Sequence, residues 1–430
     1  MRGFAYILSM AMVVLASCSK ESAPDAAADL LDSSAINFTA YSSAISTKAP
    51  VIDNTSIKIN GFNVGAYMPN SDLTAAELYI PCTHVVCGSD GTTWGYVDDD
   101  GNPKTYYWPA LESRKLSFLA HYPKGIEAEM EADDGETTLF GNEKYEAGND
   151  GNLAFSFGYT VHHDAEKQFD LIYALRENVS CPAESPYSVH LPFCHALTQV
   201  GFTAELDPDL DVNITVYDVV IHNILYTGTF VVKEDTSDFY NNGVWYSASS
   251  TAADADTDSN GYLISEFGVA MLGDGLGVEL TSISQDLTDP NDALMLMPQY
   301  ITAWDPANFV GDDPTEAGTY LAISCEITQT VDDELITIHK KEKWLYAPLT
   351  TNITYPDNTL ANGGYAATSS DWVAGHKITY NLKFGGGYST VPGSENPVMT
   401  LSPLAISASV EEWEDVDGGE LMSDENATEQ

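Results

Sequence analysis

Apolar and polar residues alternate with a period of two along much of the chain. Clear examples are "SIKING", with Ile57 and Ile59 on one face, "NITVYDVVIHNI" at 213–224 and "KITYNLKF" at 377–384. Strands that bury one face alternate in this way. Turn sequences rich in Asp, Asn and Gly separate these runs, and the best candidate for a helical piece is the short "HALTQV" at 195–200. The pattern therefore predicts a mainly β protein.

The grouping of the predicted strands favours two β-sandwich domains. In "KLSFLAHYP" at 115–123 both sets of alternating positions are partly apolar, which is typical of a central strand. A polar stretch at 207–209 separates the strands into two groups. We therefore expect one sandwich over 49–208, a second over 209–416 and an acidic flexible tail over 417–430.

The first eighteen residues have the pattern of an export signal. Arg2 supplies a positive charge, and residues 4–16 form an apolar run of thirteen residues, shorter than the roughly 20 needed to span a membrane. The sequence "LASC" that ends at Cys18 resembles the bacterial lipobox, in which the cysteine receives lipid. We predict a lipoprotein signal peptide over 1–17 and a lipid on Cys18, with an ordinary signal peptide as the alternative.

The chain is strongly acidic. It has 17 Lys and Arg against 64 Asp and Glu, for a formal net charge of −47 at pH 7. Nucleic acids and anionic headgroups would be repelled, so nucleic-acid binding is excluded and a lipid is the expected membrane attachment. A hydrophobic content of 44% is enough to form cores.

The cysteines do not form an even framework. Five follow Cys18, and Cys82 and Cys87 are expected either to form a disulfide across a hairpin or to be two free thiols; their spacing does not match a zinc hook. His195 is interpreted as a core histidine bonded to the backbone, with a ligand or catalytic role as the alternative. Four tryptophans beside turns are assigned to packing: Trp245, Trp344, Trp372 and Trp413.

An acidic turn partly matches a calcium-binding loop. Asp256, Asp258 and Asn260 have the spacing of the first ligands, but Glu266 stands one position early and helical flanks are not predicted. We expect an acidic turn without an ion, with a weak calcium site as the alternative, and no cofactor. The sequence contains neither G-x-S-x-G nor H-E-x-x-H, so an enzyme is not expected.

Several stretches in order resemble the fimbrillin-like lipoproteins, the type V pilus subunits of Bacteroidales. They are "INFTAYSSAISTKAP" (36–50), "GFNVGAYMP" (61–69), "KLSFLAHYP" (115–123), "VHLPFCHALTQVGFTAEL" (189–206), "VVIHNILYTGTF" (219–230), "ALMLMPQ" (293–299), "DWVAGHKITYNLKF" (371–384) and "LAISASVEEWED" (404–415). The resemblance implies two tandem transthyretin-like (Greek-key) β-sandwiches, an outer-membrane or cell-surface location and a role in pilus structure and cell adhesion.

The resemblance also implies a way of assembly. A trypsin-like protease would remove an N-terminal propeptide over 18–48, whose first strand points Ile36, Phe38 and Ala40 inward, and a strand from another pilus subunit would replace it. The expected scissile bond joins Lys48 to Ala49, although the family's usual residue there is arginine; an unprocessed loop is the alternative. An accessory or tip role is favoured over a stalk role, with a host or bacterial surface ligand. The competing hypotheses are a monomeric glycan-binding lipoprotein, which would use "YYW" at 106–108, and a hydrolase.

Lipidation is directly testable. We expect radiolabelled palmitate to enter the wild-type protein and not the Cys18→Ala variant, because the thiol is the acceptor. Label in the variant equal to that in the parent would contradict the lipoprotein prediction.

Overall fold

The structure is a computed structural model. It describes residues 35–42, 54–69, 76–91, 93–109, 114–122, 140–147, 153–162, 165, 168–181, 188–233, 243–247, 266–269, 271–272, 276–288, 294–302, 304–305, 309–310, 313–314, 318–349, 372–385, 388–389, 400–401 and 405–412.

The elements follow one another as a long succession of strands with one short helix among the described residues. In chain order they are β1 (Asn37–Ser42), α1 (Asn54–Asn60), β2 (Phe62–Pro69), β3 (Ala76–Cys87), β4 (Trp94–Val97), β5 (Pro103–Lys104), β6 (Leu116–Tyr122), β7 (Phe140–Ala147), β8 (Leu153–Thr160), β9 (Ile172–Val179), β10 (Ser188–His195), β11 (Thr198–Leu206), β12 (Asn213–His222), β13 (Thr227–Lys233), β14 (Gly243–Ser247), β15 (Glu266–Gly268), β16 (Val278–Glu279), β17 (Gln285–Asp286), β18 (Leu294–Leu296), β19 (Phe309–Val310), β20 (Asp313–Pro314), β21 (Tyr320–Val331), β22 (Glu334–His339), β23 (Trp344–Pro348), β24 (His376–Phe384), β25 (Tyr388–Ser389), β26 (Thr400–Leu401) and β27 (Ala405–Glu412). The prediction of a mainly β protein is confirmed.

The first hydrophobic core forms around one eight-stranded sheet. Its strand order is β1-β10-β9-β6-β2-β3-β4-β5. β6 lies in the middle of this order and buries both of its faces, as the sequence predicted for "KLSFLAHYP". Phe118 on one face belongs to the first core, whereas Leu119 on the other face packs into the second core. This one strand therefore contacts both cores.

The second core is larger and is formed by three further sheets. Their orders are β17-β11-β24-β27, β15-β12-β21-β22 and β14-β13-β8-β7. Aromatic side chains join the sheet β14-β13-β8-β7 to the eight-stranded sheet. The ring centroids of Phe230 in β13 and Tyr173 in β9 lie 4.9 Å apart. The face of the eight-stranded sheet that carries Leu119 and Tyr173, opposite the first core, is thus covered by the second core.

Strand pairing crosses the division that we expected at residue 208. β8 pairs with β13, and β11 runs parallel to β24 over eight residue pairs. Phe157 and Tyr159 of β8 already belong to the second core, and the first core receives its last residue at Phe193. The two sandwich domains and their boundary at 208 stay predictions.

Two local assignments from the sequence are wrong. "SIKIN" lies in helix α1, not in a strand: Ile57 is fully buried while Ile59 is 77% exposed, so the two do not share a face. The helix ends because the Gly61 N–H donates to the Ile57 carbonyl oxygen (2.8 Å) with a positive φ of 73° at Gly61. Residues 195–200, the predicted helical piece, join β10 to β11 and are buried on all sides. The pairing of β10 and β11 with other strands outweighed the local preference of these residues for a helix.

The tryptophans fall into two groups. Trp372 is buried and its indole N–H donates to the Tyr380 hydroxyl (2.8 Å), while the Trp245 indole donates to the Ala196 carbonyl oxygen (2.7 Å). Both therefore pack as predicted. Trp344 is 37% exposed, which contradicts its assignment to packing, and Trp413 lies outside the described residues.

Replacing Gly61 should cost more stability than replacing Gly101, although both glycines have a positive φ. A Cβ at Gly61 would collide with the Val85 carbonyl oxygen, whereas one at Gly101 (φ 80°) would meet nothing within 4 Å. We expect Gly101→Ala to cost about 1 kcal/mol of stability from φ alone, and Gly61→Ala to cost at least about 2 kcal/mol more because of the clash. Denaturant unfolding measures both; equal costs would contradict the proposed close approach.

Candidate functional site

The first strand forms one end of the eight-stranded sheet. β1 runs parallel to β10, with Asn37 opposite Ser188 and Ser42 opposite Phe193. The antiparallel pairing of β10 with β9 is confined to Cys194 and His195. Among the described residues, β1 is therefore the sole strand partner of the first six residues of β10.

The residues just before β1 contact the opposite end of the same sheet. Ala35 forms an antiparallel bridge with Tyr107, and the Ile36 N–H donates to the Tyr106 carbonyl oxygen (2.8 Å). Tyr106 and Tyr107 follow β5, the last strand in the order. Residues 35–42 thus join the two ends of the sheet and close it around the first core.

Phe38 occupies the centre of that core. It is 2% exposed and makes edge-on contacts with Phe62, Tyr96 and Phe118, with ring centroids 6.0, 5.3 and 5.9 Å away. Ile36 is 3% exposed and belongs to the same cluster. The closing strand therefore inserts two large apolar side chains into an aromatic groove.

The groove is uncharged near Phe38. Burial, with a smaller effect of Tyr106, raises the pKa of Tyr96 well above its ordinary value, so its hydroxyl stays neutral. The Lys104 ammonium lies at the rim, 4.9 Å from the centre of the Tyr106 ring. Backbone pairing and apolar contact, not charge, hold the strand.

Several predicted site residues can now be placed. Ile36 and Phe38 point into the first core as expected; Ala40 lies in β1 opposite Leu191. Cys18, Lys48 and Ala49 lie outside the described residues, as do Asp256, Asp258 and Asn260. Glu266 begins β15 and pairs with His222. Within the described ranges, no group of three or more His, Cys, Asp or Glu side chains could hold a metal ion.

His195 has a partner that the sequence did not indicate. Its Nδ1 lies 2.8 Å from Oδ2 of Asp170, and both side chains are buried. The expected backbone partner is therefore wrong. Asp170 stands 25 positions earlier in the chain, so only the pairing of β9 with β10 brings the two groups together.

A hairpin disulfide between Cys82 and Cys87 is wrong. Both residues lie on β3, five positions apart, which is about 16 Å along a strand and far beyond the reach of a disulfide. Both are free thiols, the other alternative that the sequence left open, and the Cys82 sulfur lies 3.6 Å from Nε2 of His121.

The part of the chain that the structure describes has no helix long and apolar enough to cross a membrane.

Comparison with known proteins identifies the family. The fimbrillin-like family model matches residues 47–413, so the chain belongs to the fimbrillin-like family. The match begins after β1. A comparison with curated proteins found no match.

Comparison with solved structures found matches at low sequence identity. A fimbrial protein from Bacteroides vulgatus is 17% identical, with a TM-score of 0.53 over 88% of this chain and 99% of that one. A putative cell adhesion protein from Bacteroides uniformis is 15% identical (TM-score 0.38; 88% and 98% covered). The tip fimbrial protein Mfa3 from Porphyromonas gingivalis, with a C-terminal truncation, is 8% identical (TM-score 0.35; 88% and 99% covered). The first of these supports the same overall fold.

Removing the Phe38 ring should destabilise the first core. We expect Phe38→Ala to lower the free energy of unfolding by about 3 to 5 kcal/mol, the usual cost of deleting a buried phenylalanine. Asn37→Ala, one residue earlier and half-buried, is the control and should cost about 1 kcal/mol or less. Denaturant unfolding of the uncleaved chain compares them, and equal losses would contradict the central place of Phe38.

Proposed function

We propose that this chain is a structural and adhesive subunit of a type V pilus at the cell surface, assembled by exchange of its first strand. One observation carries the proposal: residues 35–42 close the first core and are the sole described strand partner of the first six residues of β10. Membership of the fimbrillin-like family supports the pilus role. An enzymatic role is not proposed.

Loss of β1 would create a receptor for another strand. The N–H and C=O groups of residues 188–193 that face β1 would lose their partners, and Phe62, Tyr96 and Phe118 would line an open apolar trough. Unpaired sheet edges beside apolar pockets bind extended segments by strand addition. A strand from a second pilus subunit would restore both the hydrogen bonds and the buried apolar surface.

Proteolysis supplies the release step. Lys48 is the first basic residue after Lys20, and cutting between Lys48 and Ala49 would free β1 from the rest of the chain. The family match starts at residue 47, which supports a mature chain that begins near this bond. In this proposal Cys18 carries the lipid that holds the precursor in the outer membrane, and cleavage also separates the protein from that lipid.

The position of the last strand supports an accessory or tip role. β27 pairs with β24 over eight residue pairs, from His376 opposite Glu412 to Lys383 opposite Ala405. Residues 405–412 are thus paired within their own chain and are not available as a donor strand. A subunit that accepts a strand and donates none fits the end of a pilus.

The alternative of glycan binding at "YYW" has little support. Trp108 is 6% exposed, Tyr106 is half-buried, and Tyr107 is the exposed member of the three, at 39%. Trp108 instead packs edge-on against Phe118, with ring centroids 5.7 Å apart. A sugar platform needs rings side by side at the surface, and here Tyr107 is the one exposed ring of the three.

Limited trypsin digestion tests the mechanism. We expect the folded precursor to be cut first after Lys48, to retain the released peptide, and to form detergent-resistant higher-order species when a donor subunit is added. Lys48→Gln should block cleavage and assembly while leaving the melting temperature unchanged, because a lysine-to-glutamine exchange removes no apolar side chain and usually changes stability little.

The control is Lys58→Gln, which removes an exposed lysine ten positions away and should behave as the wild type. Mass spectrometry of the cleaved chain and unheated gels report the two steps. If the Lys48→Gln protein assembles as fast as the wild type, strand exchange after cleavage at this bond is not the mechanism.

A further inference from the structure

A hairpin formed by the end of β21 and by β22 exposes apolar side chains to solvent. Leu335, Ile336 and Ile338 of β22 are 67, 46 and 37% exposed, and Val331 of β21 is 42% exposed. β22 carries no buried residue. Four large aliphatic side chains on one short hairpin are unusual for a surface with no partner.

β22 is also an edge strand. It stands at the end of the order β15-β12-β21-β22, and within the described residues its strand partner is β21 alone. The pairing of β21 with β12 stops at Thr328, so residues 329–331 continue beyond the sheet with β22. An exposed apolar edge strand is a template for pairing with another strand.

Charges at the two ends of β22 have opposite signs. Asp332 and Asp333, both with positive φ, form the tight turn before it, and Glu334 is its first residue. Lys340, Lys341 and Lys343 follow its last residue. Three of the 17 basic residues of the chain thus lie within four positions, next to a strand whose other end is acidic.

We propose that β22 binds β22 of a second copy of this chain, antiparallel and around a two-fold axis at Thr337. In that register Ile336 lies opposite Ile338 of the other copy, and Glu334 faces Lys340, the residue that directly follows β22. Each of these contacts occurs twice because the interface is isologous. The sequence from 333 to 341, "DELITIHKK", is self-complementary only for antiparallel pairing.

The net charge of the chain favours this surface over others for self-association. Two copies that each carry −47 repel one another over most of their surfaces. Residues 332–343 carry four acidic and three basic side chains, so this hairpin is nearly neutral. At physiological salt, charges more than about 8 Å apart are largely screened from one another. The nearby charge pairs therefore determine whether the two hairpins attract each other.

The geometry of β22 limits the assembly to a pair. The register of β21 and β22 shifts between Ile327 and Thr328, which leaves Ile338 as an extra residue in a β-bulge. Bulges twist and shorten an edge, so the shared ladder is short and the association weak. Two-fold pairing uses the free edge of both strands, so the sheet cannot grow further. The proposal is independent of strand exchange at β1.

A pair of charge reversals tests this register. Glu334→Lys places like charges together twice in a symmetric pair, and Lys340→Glu does the same. Each variant alone should lose at least about tenfold in its dimerisation constant, while an equimolar mixture of the two should regain wild-type dimerisation, since every mixed contact is attractive. All proteins are the full chain with Cys18→Ser, so that a lipid cannot cause association, and sedimentation velocity is measured at 0.01–0.1 mM, the range of weak contacts.

Cross-linking locates the axis. In a Cys82→Ser background, Thr337→Cys should form a disulfide-linked dimer under copper-phenanthroline oxidation, because cross-strand Cα atoms lie about 4.5 to 5.5 Å apart. Thr330→Cys on β21 is the control and should link far more slowly. A monomeric wild type at 0.1 mM, single variants that dimerise as well as wild type, or a mixture that stays monomeric would each overturn the proposal.

Discussion

The first core depends on one parallel pairing, between β1 and β10. Residues 188–193 take β1 as their described strand partner, and the same segment bridges to Tyr106 and Tyr107 at the far end of the sheet. Phe38 fills the space that the closed sheet encloses. Side-chain burial and backbone pairing therefore depend on the same eight residues, and neither can be kept if they leave without a replacement.

This arrangement is compatible with the proposed exchange of β1, although the strand is buried. β1 is the first described strand in chain order, so its removal interrupts no other described strand. Its contacts are apolar side chains and backbone groups, which another extended segment of suitable pattern can reproduce. Charge contributes little there, whereas at the β22 hairpin a self-complementary charge pattern gives the pairing direction. The groove that β1 fills would therefore select a partner strand by its apolar pattern, whereas the β22 hairpin would select one by its charges.

Much of the fold could be predicted from local patterns. Alternation located β12 and β24, and the two-sided apolar pattern of "KLSFLAHYP" identified β6 as central. The family resemblance, together with the alternation in "INFTA", predicted that Ile36 and Phe38 point inward, and both are buried. A period of two marks a strand face wherever one side is buried, so these features needed no knowledge of distant residues.

The failures arose where distant contacts decide the outcome. Ile57 and Ile59 have strand spacing, yet a seven-residue helix buries only the first. The partner of His195 is a carboxylate 25 positions away, and the parallel direction of β1 beside β10 follows from how the sheet closes. None of these leaves a local signal in the sequence.

Hydrogen exchange at residues 188–193 tests the central claim most directly. For the amides of residues 188–193 that face β1, the account predicts slow exchange in the uncleaved protein, fast exchange once the peptide that contains β1 has been removed, and slow exchange again when a donor strand is bound. Amides of β24, which pairs on both sides in the second core, should stay protected throughout. If residues 188–193 remain protected after the peptide has left and before any donor is added, β1 is not the strand that closes the first core.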